Sequence, residues 1–474
     1  MIVHPQHQPT SIPFCGRVSR VLILAGWVQA VMIPVVFAAD EQFRPADTRP
    51  QHDDAKLAAL GIKRYESRRL RLYTDVDEEF ARQIPPIVDQ AYEAWEEYFG
   101  KLPPAPDGAD FQMTGYALRD QQLFREGKLI PEGLPPFING RHRLQEFWVN
   151  VTEQNYYLKH LIVHEATHCF MTILPDSNSP PWYLEGMAEL FGTHHQGVEG
   201  KCRFRILPGT ENIGDFEHWE RINILKRDIE LRGMKSLEQV LGLSHNEFGN
   251  NASYAWSWSV CQFLDAHPRY RDRFRELGQH RGAVDFPETW ERLFGSEIDT
   301  LKTEWNWFAH AVCPGYDWKR AGIEFQRGDD FDPQVPAVAR VAADRGWQSS
   351  KIRLQVGEKY RITATGRSTL ADDPRPWISE PQGISIRYNQ GQPVGRLIGI
   401  IEEESPVAPQ PSDEAKPAKE TTDSRFPLLV IGKRTEFTST VTGTLYLRVN
   451  DAFSSLDNNS GEYTVTVESP AKLP

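Results

Sequence analysis

From Arg69 the run RLRLYTD alternates apolar and polar positions, with Leu70, Leu72 and Thr74 on one face, and predicts a strand. The period then lengthens. Ile84, Val88, Tyr92, Trp95 and Phe99 form a helical stripe, Asp75 or Asp77 supplies an N-cap, and Gly100 a stop. FQMTGYALRD and RLQEFWVNVT read as further strands, with a Gly/Pro-rich loop over 121–140 between them. Residues 210–335 are helical in pattern, most clearly in YAWSWSVCQFLDAH, PETWERLFG and LKTEWNWFAHAV. After about residue 340 the texture turns to short period-two runs. Ile352, Leu354 and Val356, then Tyr360 and Ile362, then TLYLRVND and EYTVTVE, predict an all-β sandwich. EEESPVAPQPSDEAKPAKETTDS, residues 402–424, interrupts it, and its composition cannot bury a core, so a disordered insert is expected there. The expected class is an α+β domain, with a mixed sheet and a helical C-terminal part over 63–335, followed by an all-β sandwich over 341–474.

Length and composition agree with more than one domain. The chain has 474 residues, 40% hydrophobic and 11% aromatic, enough for sizeable cores. Net charge is -12, and no Lys/Arg cluster points to nucleic acid. Arg17 and Arg20 precede the apolar run VLILAGWVQAVMIPVVFA, which closes on Val36-Phe37-Ala38. That order is a basic region, an apolar core and a small-residue cleavage rule, so residues 1–38 read as a signal peptide, with 39–62 a polar leader. The alternative is an uncleaved anchor, the one route by which a membrane would enter. Export to a periplasmic, cell-surface or secreted location follows. Cys15 leaves with the leader. Cys169, Cys202, Cys261 and Cys313 remain, an even number that permits two disulfides in any of three connectivities.

The chemistry concentrates in HLIVHEATHCFMTILPDSNSPPWYLEGMAELFG, from His160 to Gly192. His164 and His168 are four apart, so on a helix their rings share a face and reach one ion. Glu165 is turned about 100° away and stands beside that ion without ligating it. This is the HExxH arrangement, two histidines on zinc and a glutamate as general base. Zinc needs a third ligand and an open position to be catalytic. Glu185 supplies the third ligand from the next helix. Glu189, one turn on, is placed to fix the far ring nitrogen of a ligand histidine. His160 extends the histidine face and reads as a packed or supporting residue, whereas His194 and His195 are expected in an exposed loop.

HEATH followed by WYLEGMAELF resembles the gluzincin metallopeptidases, the peptidase-MA group, whose pattern is HExxH and then W-(L/Y)-x-E-G-x-A-E/D/S. The resemblance spans about residues 65–310 and implies a zincin-like fold with His164, His168 and Glu185 on zinc and Glu165 as the base. Relatives often carry a tyrosine at the start of a downstream helix as oxyanion donor, which points to Tyr254. A core aromatic beside Trp256 and Trp258 is the other reading of that residue. No Gly-x-Met-Glu-Asn exopeptidase stretch lies upstream.

A second cluster lies in NDAFSSLDNNSGEYTVTVE. Asp451, Ser455, Asn458 and Asn459 are oxygen-bearing residues in one turn-rich loop, suited either to calcium or to a plain Asx-rich turn. The stretch from ATG through TGTLYLRVNDAFSSLDNNSGEYTVTV, about residues 345–469, resembles the PA-I-type calcium-dependent galactose-binding lectins. It implies calcium on Asp451, Asn458, Asn459 and the Ser455 carbonyl. The family's His-Pro-Asp-Gln sugar-contacting stretch has no counterpart near SEPQGISI. Together these readings predict an exported zinc metallopeptidase acting on peptides or proteins, with a calcium-dependent module that engages a glycan. The alternative is a non-catalytic surface carbohydrate-binding protein on a peptidase-like scaffold.

Overall fold

Residues Leu70–Thr74 are covered on both faces, with Arg71 half-buried, because the strand they form, β2, runs through the middle of a sheet. In this computed structural model, which describes residues 43–174, 179–280, 285–372, 375–403 and 428–470, that sheet has five strands. Their order is β1 (Lys63–Glu66), β2, β3 (Met113–Leu118), β5 (Glu146–Asn150) and β4 (Gly140–Arg143). β2, β3 and β5 are mutually parallel, and β1 and β4 flank them antiparallel. β4 is therefore an edge. Every residue of β3 is buried, as expected of a strand covered on both faces.

One face of the sheet carries α3 (Ile84–Phe99) and α5 (Asn155–Met171), which share a core with Leu70, Leu72, Phe147 and Val149. Gly100 ends α3 at φ 82, a left-handed conformation natural to glycine. Asp77 caps a separate short helix, α2 (Glu78–Ala81), ahead of it. The other face stacks Tyr73, Tyr116 and Trp148 under Leu57, Ile62 and Phe124. Residues 43–62 are thus not a loose leader. They contribute α1 (Asp54–Ala59) to this layer, and the buried Arg44 guanidinium donates to the carbonyls of Pro103 and Ala109. Nor is 121–140 all loop, since Asp120 caps α4 (Gln121–Glu126), whose Phe124 is buried.

α6 (Pro181–Gly192) follows α5, and β6 (His194–Gln196) pairs with β7 (Cys202–Phe204). The helical part contains α7 (Arg221–Arg232), α8 (Leu237–Leu241), α9 (Asn251–Ala266), α10 (Arg271–Gln279), α11 (Phe286–Phe294), α12 (Ile298–Ala311) and α13 (Trp318–Ala321). α6 crosses α9 closely at Gly186, where a Cβ would strike Cys261 and the Ser257 carbonyl. The expected disulfides do not form. Cys169 and Cys261 lie in separate core helices, Cys202 on β7 and Cys313 after α12, and all four are free thiols.

The β part is two facing sheets around one apolar core. One has the order β13 (Gln382–Asn389), β14 (Gln392–Glu403), β17 (Gly443–Val449), β10 (Gln348–Leu354) and β8 (Asp329–Asp330), with β15 (Leu429–Val430) on β14. The other has β12 (Ile378–Ser379), β11 (Lys359–Thr369), β18 (Ser460–Glu468) and β9 (Ala337–Ala342), with β16 (Arg434–Thr438) on β11. β8 begins the sandwich some residues ahead of the expected 341. The expected signal peptide, and the expected insert from residue 404 on, lie outside the described residues.

Candidate metal centre

α5 is apolar on nearly every side, so its polar residues are carried into the interior. His160, His164, Glu165 and His168 are all buried. The ring nitrogens of His164 and His168 converge, Nε2 to Nε2, at 3.1 Å. Glu185, on α6, brings Oε2 to 3.2 Å from His168 Nε2 and 3.3 Å from His164 Nε2. Three donor atoms thus form a nearly equilateral triangle. Ligands at zinc bond lengths of ~2.0–2.1 Å and tetrahedral angles stand about 3.3 Å apart, so the triangle fits that ion with one corner open. The protons on the site tell the same story. Burial alone would lower the pKa of His164, but the Glu185 and Glu189 carboxylates override it and hold the ring up at about 10. Burial opposes charge on Glu185 too, yet the facing histidines keep its carboxyl well below the usual range. The set is a buried anionic pocket that takes up a proton where a cation could sit.

Behind it, Glu189 is almost wholly enclosed. Arg221, from α7, grips it bidentately, Nε to Oε2 at 2.6 Å and Nη2 to Oε1 at 2.7 Å. Glu189 Oε1 is also 3.3 Å from His164 Nδ1, and its Oε2 is 3.2 Å from His160 Nε2. Burial would raise the Glu189 pKa, and Arg221 more than reverses that, so the carboxylate stays ionised. His160, His164 and Glu189 also lie close enough to share an ion. Both Glu189 oxygens, however, already face a guanidinium, which repels a second cation. The first triangle is the better site.

Glu165 is buried beside the triangle and opens onto a cavity of about 660 Å³. β4 runs along it. Gly140 leaves room for its carboxylate, since a Cβ there would collide with Oε1. Tyr254, near the start of α9, lines the same cavity, its ring centroid 6.1 Å from that of His164. Burial raises its pKa, with the Glu185 and Glu165 charges adding, so the phenol keeps its proton to donate. All six zinc-site residues read from the sequence therefore meet here: His164, His168, Glu185, Glu165, Glu189 and Tyr254. Two neighbours carried no sequence signal, Arg221 and His142 of β4. The His142 ring stacks on His168 at 4.5 Å between centroids. His194 is buried on β6 with Nδ1 2.7 Å from the Gly192 carbonyl, not exposed in a loop, and His195 is partly covered.

In the sandwich, Asp451 and Asn459 meet, Asp451 Oδ2 accepting from Asn459 Nδ2 at 3.2 Å. Both are buried, and Asn459 Oδ1 has no hydrogen-bond partner among the described residues. Burial raises the Asp451 pKa. Ser455 is half-buried at the loop's turn, and Asn458 is exposed.

No family model matches the sequence, and no curated protein matches it. Among solved structures, the chain is similar to the N-terminal domain of EclA, a PllA-like lectin, at 19% identity and a TM-score of 0.20, covering 28% of this chain and 95% of that one. It is also similar to a mutant M1 zinc metallopeptidase from Deinococcus radiodurans at 10% identity and a TM-score of 0.28, covering 50% of this chain and 48% of that one. Scores this low leave the reading of the site to its own geometry.

Proposed function

We propose that the protein is an exported zinc-dependent hydrolase of peptide bonds. The observation that carries this is the triangle of His164, His168 and Glu185 donor atoms at 3.1–3.3 Å, with Glu165 beside it and outside it. Zinc held by His164, His168 and Glu185 would supply Lewis-acid chemistry to the scissile carbonyl and to the attacking water. Glu165 takes that water's proton and passes it to the departing amine. Tyr254 donates its phenolic hydrogen to the oxygen that gains charge. Glu189, clamped by Arg221, holds His164 in the tautomer that leaves Nε2 free to ligate. β4, an edge strand along the cavity, offers unpaired backbone to an extended peptide.

We further propose that the sandwich loop holds a calcium ion on Asp451, Asn458, Asn459 and the Ser455 carbonyl, of which Asp451 and Asn459 already touch. A buried carboxylate with a raised pKa and an orphaned acceptor on Asn459 support it. A glycan completing the ion's shell is the partner this module would engage.

The test is metal analysis of the purified protein, with turnover of a peptide library in the presence and absence of chelator. Zinc near one equivalent and chelator-sensitive cleavage are expected. Glu165→Gln should keep zinc and lose turnover, and full activity in that variant would end the proposal.

A further inference from the structure

His142 is the one imidazole on the edge strand β4, and the mechanism above gives it no task. Its Nδ1 lies 3.6 Å from Glu165 Oε2, and its ring lies nearly parallel to that of His168, at 23°. Among the described residues no hydrogen bond fixes the Glu165 carboxylate, and His142 is its ion-pair neighbour. Gly140, two residues earlier on the same strand, leaves the opposite oxygen, Oε1, the space that a Cβ would fill. β4 thus runs along the carboxylate, with an imidazole beside one oxygen and a side-chain-free position beside the other. A separation of 3.6 Å exceeds a hydrogen bond, but such contacts in substrate-free sites commonly shorten once the site closes.

Resting on the hydrolase reading, we infer that His142 is a positioning residue for the general base: its Nδ1–H holds one oxygen of Glu165 so that the other faces the attacking water. Two other roles could explain its place. The ring could be a passive plate that steadies His168, or it could be a strand residue with no bearing on the site. Side-chain shape separates these cases. Phenylalanine keeps the plate and lacks the donor. Asparagine lacks the plate, and its Nδ2 occupies the place of the imidazole Nδ1, one bond from Cγ.

The full-length protein is loaded with zinc, and kcat, KM and zinc Kd are measured for wild type, His142→Phe and His142→Asn. His142→Phe is expected to hold zinc within about threefold of wild type and leave KM unchanged, while kcat falls ~10- to 100-fold, part of what a general base contributes. His142→Asn is expected to weaken zinc about tenfold through the loosened His168 yet recover most of kcat at saturating zinc. A wild-type kcat in His142→Phe, or equal losses of kcat in both variants, overturns the inference. A second readout needs no turnover. In the metal-free protein labelled with 15N-histidine, the His142 signal, identified by its loss in His142→Asn, should show the Nδ1–H tautomer and should change in Glu165→Ala. An Nε2–H tautomer insensitive to Glu165 also overturns it. Should the loaded wild type cleave no peptide, the hydrolase reading fails while the tautomer measurement still decides whether His142 holds Glu165.

Discussion

Arg221→Met probes the support behind the candidate metal site. Arg221 and Glu189 are 6% and 1% exposed at their side chains, and the guanidinium makes two bonds of 2.6 and 2.7 Å to the carboxylate. Methionine fills similar volume and removes the charge. Glu189 is then a buried anion left with His160 at 3.2 Å and His164 at 3.3 Å. Stranding one member of a buried pair costs ~3–5 kcal/mol. The two histidines offset part of this, so the lower half of that range is expected. At about 2 °C per kcal/mol for a large unit, the melting temperature of the metal-free protein should drop by ~6–8 °C. Arg221→Met/Glu189→Gln removes the stranded charge as well and should recover more than half of the loss, because deleting both partners costs far less than deleting one. Calorimetry of the four proteins closes the cycle. A single variant within 1 °C of wild type, or a double variant less stable than the single, would refute the buried-charge account.

The remaining tests are simpler. Glu189→Gln should weaken zinc roughly 10- to 100-fold without changing the coordination number, read by chelator competition and X-ray absorption; an unchanged affinity would remove its orienting role. His168→Ala should lose both zinc and turnover. Because His164 is held at about 10, above its unfolded value of 6.5, its contribution is complete below pH 6.5 and disappears as pH rises through about 10. The metal-free protein should accordingly lose melting temperature over that window, and the zinc-loaded protein should lose much less. Asp451→Asn should be at least as stable as wild type at pH 7 without calcium, since burial holds the Asp451 pKa up and ionising it there costs stability. It should also lose the rise in melting temperature expected of the wild type in calcium; a preserved rise would leave only an Asx turn in that loop.

What the sequence made legible follows from how local each signal is. Strand β2, helix α3 and most of the period-two runs of the sandwich are each written in consecutive residues and stand where the pattern put them, although Val356 falls past the end of β10 and is exposed. The candidate triangle was legible in part for the same reason: helical spacing sets His164 beside His168, whereas Glu185 reaches them only through the docking of α6 on α5, which the motif resemblance implied and spacing alone did not. Arg221 lies 32 residues beyond Glu189 and meets it only through the docking of α7, so no local pattern could mark it. His142 is a lone histidine beside a stretch dominated by Gly and Pro. That same composition hid α4, although Asp120 and Phe124 were a cap and an apolar anchor. The cysteine count suggested pairing, but a count carries no distances, and the four thiols stand free at four separate places in the fold.

The sandwich meets the helical part through an apolar seam and not through the disordered spacer a flexible tether would need. Trp307 and Ala311 of α12 pack with Trp347, Ile398, Ile400, Tyr446 and Phe453. The seam runs through the very loop that carries Asp451. Phe453 stacks on Tyr316 at 5.0 Å, and its carbonyl accepts from the Asp317 amide at 3.1 Å. The buried Arg448 guanidinium lies 4.0 Å over the Phe453 ring and donates to the Asp451 carbonyl. Burial depresses the Arg448 pKa to about 10, still charged at neutral pH, so the seam holds a cation that the Asp451 carboxylate helps to stabilise. An ion bound at Asp451 would thus bear on the seam as well as on the sandwich. Phe453→Ala, which removes a buried ring touching both sides, should cost ~3–5 kcal/mol. The loss should appear as two separate melting transitions where the wild type has one. A single cooperative transition in that variant would mean that the seam does not couple the two parts.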